Sequence, residues 1–527
     1  MTQQKSEDRV VPEGRRKSVP TRRVERSGGG KAVSVKGVDQ QFTLPFATAE
    51  NPRGSFRGAE GVDVPDPSGA RTRKVPRAKD KLEEAGPARM EEVVERLERA
   101  FDKVAANKGA PGPDRQTIEQ VREHLPKVLA KLRRSLLAGT YRPGEIRRVW
   151  IPKAGGKGQR GLGIPNVVDR VVQEAVRQVL EPLYEPTFHP SSHGFRPHRG
   201  CQTAIAEACT YVEEGHRWVV DMDLAKFFDR VHRQRLMSRL AQRVDDKRLL
   251  VLIGGMLKAK VVMPNGVKVA TEEGVPQGGP LSPLLSNIVL NELDWELARR
   301  GHRFVRYADD CNIYVRSERA GKRVMESVVG FIERRLRLQV NESKSAVARP
   351  ETRHFLGYRL RWWEGGSVEV LLSERSVKRL QERIRELTPR SRGWSLEATI
   401  RAINVYLVGW LGHFRVCTQG IGRMMRATDA HLRRRLRAFV LKHWKRKRTI
   451  ARRLIRLGVG SKSAWRVVYE GRRSLWALSH VPAVDRALRN AYFAKRGLIS
   501  LGERFRTIWA GVTAPAQLSL PLGPARS

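Results

Sequence analysis

Two carboxylates stand side by side at Asp309 and Asp310, between the apolar runs Phe304 to Arg306 and Cys311 to Val315, a pattern that reads as strand, tight turn, strand. Adjacent carboxylates in a tight turn repel each other. At ~4 Å the repulsion is roughly 1 kcal/mol in water and roughly 4 kcal/mol at an effective dielectric of about 20. Such a pair is comfortable when exposed or when a divalent cation neutralises it, and Mg²⁺ suits carboxylates that leave room for water and substrate phosphates. A third carboxylate would complete a two-metal site. Arg217 to Leu224 is the clearest buried strand of the chain, and its Asp221 and Asp223 fall on one face by period two, opposite Trp218, Val220 and Met222. An aspartate in an otherwise apolar strand must be paired, exposed or bound to metal. Two metals about 4 Å apart could activate a hydroxyl nucleophile and stabilise a leaving pyrophosphate. An Asp-Asp pair by itself is equally an ordinary solvated turn, so its surroundings decide.

Those surroundings are mixed. Residues 1 to about 85 are rich in Gly, Pro, Ser, Arg and Lys without a sustained apolar period, and are expected to form a disordered basic arm. Met90, Val93, Val94, Leu97, Phe101 and Val104 are spaced for one helix face; Ile118 to Leu136 makes a second helical pattern that Pro126 kinks or splits. From Tyr141 the texture changes: a strand at Arg147 to Ile151, a Gly/Lys-rich turn at residues 154–158, helices over Asp169 to Leu183 and Pro280 to Leu293, and the strands already named. Strands mixed with helices predict an α+β domain. After about residue 370 the pattern is all-helical, with stripes at Val377, Leu380, Ile384, Leu387, at Ile400, Ile403, Leu407, Trp410, Leu411, Phe414, and at Leu432, Leu436, Phe439, Val440. The last stretch to Ser527 has weaker helical patterning.

The chain carries 101 Lys plus Arg against 55 Asp plus Glu, a formal net charge of +46. That excess repels itself, and a polyanionic partner offsets it; nucleic acid fits better than a membrane surface. No apolar run is long enough to span a bilayer and the N-terminus is polar, so a cytoplasmic location is expected. The four cysteines form no paired C-x-x-C knuckles, which argues against a structural zinc site and for a reducing compartment.

From about residue 88 onward the sequence resembles the group II intron reverse transcriptase/maturases, with eight blocks in that family's order. These are Asn107 to Asp114; Ile151-Pro152-Lys153 with Arg160, Leu162 to Pro165 and Asp169-Arg170; Gly194 to Pro197; Asp223 to Asp229; Gly274 to Pro283; Tyr307 to Asp310; Asn341 to Lys344; and Phe355 to Tyr358. The resemblance implies a right-hand polymerase, with fingers over 86–200 and a palm over 201–368. A helical thumb or maturase domain X over 369–450 and a C-terminal extension over 451–527 follow. It implies RNA-directed DNA polymerisation with two Mg²⁺ ions at Asp223, Asp309 and Asp310 and dNTP substrates. Asp223 is preferred to Asp221 because it keeps the family's spacing to Phe227-Phe228. Lys153 and Arg160 would hold the triphosphate as cationic donors, although Gln159 and Gly161 stand where a shorter turn and a proline are usual. Phe227 would pack under the sugar, with Phe228 as the alternative, and Gln277 with Gly278 would approach the template and nascent base pair. Lys344 would contact phosphate or stay solvated.

Between His431 and Arg453 there are eleven Lys or Arg residues and no acidic one. Arg433, Arg434, Arg435, Lys445, Arg446 and Lys447 are the expected contacts to intron RNA, read by shape and backbone. The resemblance further implies a DNA target and primer as partners. Nothing resembles the Cys/His-bearing HNH nuclease of many relatives, so cleavage of the second target strand is expected to be absent and the primer to come from elsewhere. The rival readings are a splicing-only maturase, against which three intact carboxylates argue, and a retron, diversity-generating or phage-defence reverse transcriptase, against which the long helical region and the Pro276-Gln277-Gly278 block argue.

Overall fold

The structure, a computed structural model, describes residues 88–512 except 153–157, 271–272, 364, 392 and 471–473. The basic arm expected over 1–85, Lys153 and most of the turn expected at 154–158 lie outside the described residues. Ten strands are described: β1 (Ile146–Pro152), β2 (Gln159–Pro165), β3 (Trp218–Asp223), β4 (Val261–Val262), β5 (Lys268–Val269), β6 (Arg303–Tyr307), β7 (Asp310–Val315), β8 (Ala346–Ala348), β9 (Tyr358–Trp362) and β10 (Val368–Leu372). They form three sheets, in the orders β2-β1-β4-β5, β6-β7-β3-β8 and β10-β9. With helices on both sides of the strands, the chain is α+β.

The sheet β6-β7-β3-β8 is antiparallel throughout and divides the core. Val220, Met222, Phe304 and Ile313 face one apolar cluster, shared with helices 282–299 and 318–331. Val219, Val305 and Tyr314 face the other, shared with helix Cys201–Glu213 and continuing into the C-terminal helices. Burial on both faces explains why β3 lacks a polar side and why its two aspartates stand out.

Local chemistry sets the helix boundaries. The first helical stripe breaks at Arg96 into Met90–Glu95 and Leu97–Ala106, with its apolar face unbroken. Pro126 falls in the first turn of Leu125–Leu137, where a missing N–H costs nothing, and His124 separates that helix from Ile118–Glu123. Thr117 and Gln120 close a capping box at the start of the latter.

A hairpin leads into the C-terminal helices. The β9–β10 hairpin precedes helices Glu374–Leu387, Leu396–His413 and Gly422–His443, and it shares their apolar cluster. Six further helices run from Lys447 to Val512, several of only four to six residues. Their shortness is why the sequence showed weak periodicity there. Leu478, Val484, Leu488, Phe493, Leu501 and Phe505 are nevertheless buried in the same cluster as Leu432 and Leu436. Asp429 ties this layer down, accepting from Ser500 Oγ at 2.8 Å and from the backbone N–H of Leu501 and Gly502 at 2.9 and 3.0 Å. No helix among the described residues is long and apolar enough to cross a membrane.

Candidate active site

Antiparallel register brings the three aspartates together. Asp223, the last residue of β3, lies directly opposite Asp310, the first of β7, and Asp310 also pairs with Tyr307 across the hairpin. Ala308 and Asp309 make the turn, and Ala308 takes a left-handed φ of 58°. Residues directly opposite in such a ladder have Cα atoms about 4.5–5.5 Å apart. Asp223 and Asp310, 87 positions apart in the chain, thus share one strand end.

Their electrostatics are those of a crowded acidic site. Enclosure by protein and then the charges of Asp309, Asp221 and Asp223 raise the Asp310 carboxyl to about 7, opposed by Lys344. Asp310 is solvent-exposed, so repulsion from its neighbours carries more weight than desolvation. Burial, with Asp223 adding to it, also raises Asp309, against the cations Arg160 and Lys344. Lys344 Nζ stands 3.0 Å from Asp223 Oδ2 with its side chain 60% exposed. Among the described residues no group of three or more His, Cys, Asp or Glu is already gathered in metal-holding geometry; the Asp223 carboxylate is turned onto Lys344. The donor set still fits Mg²⁺: three oxygen-donor side chains at one edge, two of them penalised as anions, gain from added positive charge.

Asp221 is engaged differently. Arg353 donates to its Oδ2 from Nε at 2.8 Å and from Nη2 at 2.6 Å, and also reaches the Lys344 carbonyl at 2.6 Å. A fixed guanidinium therefore occupies Asp221, while Asp223 holds only an exposed lysine.

Around the acids, the sequence blocks interlock through their backbones. The Phe228 carbonyl accepts from Val275 N–H at 2.7 Å and the Asp223 carbonyl from Asn341 N–H at 2.8 Å. Gly163 N–H donates to the Gln277 carbonyl at 2.6 Å along the free edge of β2. Gly278, at φ +117°, approaches so closely that a Cβ there would lie 2.4 Å from the Gly163 carbonyl. Glycine at 278 is thus required by protein packing. The block Asn107 to Asp114 packs on the Asp169-Arg170 block, with Arg170 Nη2 donating to the Ala110 carbonyl at 2.8 Å. Arg160, exposed on β2, is within Coulombic reach of Asp309. The Gln277 side chain is half-buried beside this seam. The two phenylalanines separate clearly: Phe227 is 2% exposed in the core, whereas Phe228 is half-buried against it. Of the two rings offered for a substrate sugar, Phe228 is therefore the more accessible.

The basic stretch also divides. Lys442, Lys445, Arg446, Lys447 and Arg448 are exposed. Arg433 is half-buried. Arg434 stacks 4.1 Å over Trp476, and Arg435 spends its donors on Thr388 Oγ1 at 2.6 Å and on the last carbonyls of helix Glu374–Leu387. Arg437 is buried, bonded to Asp485 and to the Leu488 carbonyl at 3.0 Å. The solvent-facing cations therefore cluster after residue 441, and Arg434 and Arg435 have structural tasks that the charge run did not reveal.

Sequence reasoning missed Arg306, Asn287 and Asp294, which form a buried polar group behind the hairpin. The available signal was one arginine inside the apolar strand Phe304 to Tyr307 and one aspartate inside an apolar helix.

Comparison with known proteins gives the family. Residues 151–360 match the family described as reverse transcriptase (RNA-dependent DNA polymerase). Residues 377–457 match the group II intron maturase-specific domain. Protein YkfC of Escherichia coli K12 is 36% identical over 296 residues, 48% of this chain and 77% of that protein. The group II intron-encoded protein LtrA of Lactococcus lactis is 30% identical over 51% of this chain and 55% of its own length. A putative COX1/OXI3 intron 2 protein of Saccharomyces cerevisiae is 28% identical over 49% of this chain and 37% of its own. With its polymerase blocks in order, a maturase-specific domain behind them and relatives of this kind, the chain belongs to the group II intron reverse transcriptase/maturases.

Proposed function

We propose that the protein is an RNA-directed DNA polymerase that also binds its host group II intron RNA to assist splicing and intron mobility. The observation that carries the polymerase half is the cross-strand pair Asp223 and Asp310 with Asp309 at the adjoining turn. In this reading residues 86–200 are fingers, the sheet β6-β7-β3-β8 is the palm floor, and helices from Glu374 onward are the thumb and maturase region. The β9–β10 hairpin shares its core with those helices, which supports a boundary nearer residue 355 than 368.

Two Mg²⁺ ions held by Asp223, Asp309 and Asp310 would supply activation of a primer 3′-hydroxyl and charge neutralisation for the departing pyrophosphate. Arg160 and Lys153 bind the triphosphate of an incoming dNTP as charge-assisted donors. Phe228 presents its ring to the sugar and disfavours a 2′-hydroxyl. The Gln277-Gly278 seam supports the template side. Lys344, which pairs with Asp223, would contact substrate phosphate. The exposed cations from Lys442 to Arg448 track the phosphates of folded intron RNA, and a DNA target and primer complete the partners.

Primer extension on an RNA template, with Mg²⁺ and with EDTA, tests the polymerase. Splicing of the cognate intron with and without protein tests the maturase. Absence of Mg²⁺-dependent cDNA alongside protein-assisted splicing would leave a splicing-only maturase.

A further inference from the structure

Arg306 is the largest fully buried side chain of the described residues, at 0% exposure. All five of its guanidinium hydrogen bonds are made. Nε and Nη2 form a fork on Asp294 at 2.7 and 2.6 Å, Nη2 also reaches Ser192 Oγ at 2.7 Å, and Nη1 reaches Asn287 Oδ1 at 3.0 Å. The fifth bond, from Nη1 to the Ala308 carbonyl at 2.9 Å, falls on the turn itself. That carbonyl belongs to the peptide plane joining Ala308 to Asp309, so its direction sets where both acids point. Ala308 is held at a left-handed φ that an alanine adopts only when its surroundings impose it.

A second wall backs the same turn. Asn287, which accepts from Arg306, donates through Nδ2 to the Gly194 carbonyl at 2.9 Å. A Cβ on Gly194 would lie 2.3 Å from the Ala308 nitrogen, so the two backbones are in direct contact. Backbone bonds from Arg306 N–H to the Ser191 carbonyl at 2.9 Å and from His193 N–H to the Arg306 carbonyl at 2.8 Å fix the strand to that segment. Three segments distant in sequence thus meet on one side chain, directly beneath the carboxylates.

We propose that Arg306 is a positioning residue for polymerisation: through the Ala308 carbonyl, and with Asn287 and Gly194 as backing, it orients Asp309 and Asp310 for the metal ions. The inference rests on the polymerase reading above and adds to it the residue that sets the geometry. A buried ion pair alone would need only Asp294; the bond to the turn serves the turn. Lysine cannot replace the fork, because one ammonium with three donors cannot meet Asp294 twice and also reach Asn287, Ser192 and Ala308.

The test uses the full chain carrying Arg306→Lys, and a second variant, Arg306→Met with Asp294→Leu. The second removes both charges of the buried pair together, so no unpaired charge is left in the core. Steady-state primer extension, normalised to folded protein, gives kcat, KM for dNTP and the Mg²⁺ concentration at half-maximal rate; filter binding gives primer-template affinity. The expected result is a kcat at least tenfold lower in both variants and a several-fold higher Mg²⁺ requirement, with primer-template affinity within twofold of the parent. A parental kcat and Mg²⁺ requirement in either folded variant overturns the proposal. A parent chain that extends no primer would instead sink the polymerase reading, an outcome read before any variant is made.

Discussion

Asp429 is the only carboxylate in the 22-residue helix Gly422–His443, and replacing it is expected to loosen the C-terminal layer without touching the carboxylate hairpin. It accepts from the N–H groups of Leu501 and Gly502 and from Ser500 Oγ, and so caps the start of helix Leu501–Val512 from a neighbouring helix. Leu501 and Gly502 are buried, so water cannot readily take over. An orphaned buried donor costs about 1–3 kcal/mol, and an anion at a helix N-terminus contributes about 0.3–1 kcal/mol more. With partial relaxation, Asp429→Ala should weaken the local structure by about 2–4 kcal/mol. Asp429→Asn, which keeps one acceptor oxygen, should cost about 1–2 kcal/mol. Because a chain of this size does not unfold in one step, the readout is amide hydrogen exchange over residues 490–508. At about 1.4 kcal/mol per tenfold, exchange there should accelerate roughly 30- to 1,000-fold in the alanine variant, with residues 303–315 unchanged. Acceleration below threefold would show that Asp429 does not hold this helix.

Further outcomes are expected. Asp309→Ala should abolish primer extension and leave RNA affinity within about twofold in a filter-binding assay; retained synthesis would remove the proposed site. Asp310→Asn should raise the melting temperature in Mg²⁺-free buffer, because it removes one of three mutually repelling carboxylates, a gain of about 1–3 kcal/mol at an effective dielectric near 20; a lower melting temperature would contradict the electrostatics. Gly278→Ala should cost about 1–3 kcal/mol from its positive φ alone and more from the clash with Gly163, read by thermal melting against Gly266→Ala, where a Cβ meets nothing within 4 Å. Neutralising Lys442, Lys445, Arg446 and Lys447 together should flatten the salt dependence of RNA binding. Arg435→Ala should mainly lower stability, and a salt slope changed by Arg435→Ala but not by the four exposed residues would reverse that division.

The elements that carry the site were legible because they obey strong local rules. The hairpin around Asp309 and Asp310 lies between two apolar runs, and β3 is an apolar run interrupted only by Asp221 and Asp223. What sequence could not supply was register. The ladder sets Asp223 opposite Asp310 and Asp221 opposite Asn312, and Arg353, 132 positions away, takes Asp221. The same holds for the two phenylalanines: neighbours in sequence share composition and spacing, and only packing decides that Phe227 goes inward. The basic stretch does not by itself separate Arg434 and Arg435 from the exposed cations, because a cation bound to Thr388 or laid on Trp476 looks identical, in sequence, to one facing solvent. The helices after Lys447 were underestimated because four- to six-residue helices are too short to show a period. Arg306 offered one signal, a charge inside an apolar strand, but a single residue does not say which partners it meets.

The contact between Gly163 and Gly278 has a mechanical consequence. Because no side chain separates the two backbones, β2 and the loop ahead of helix Ser282–Arg299 cannot slide past each other without breaking a hydrogen bond. Arg160 rides on that strand, and Asn287 and Asp294 ride on that helix. A tilt of β2 therefore pulls directly on the loop that leads into the helix carrying the partners of the Arg306 guanidinium.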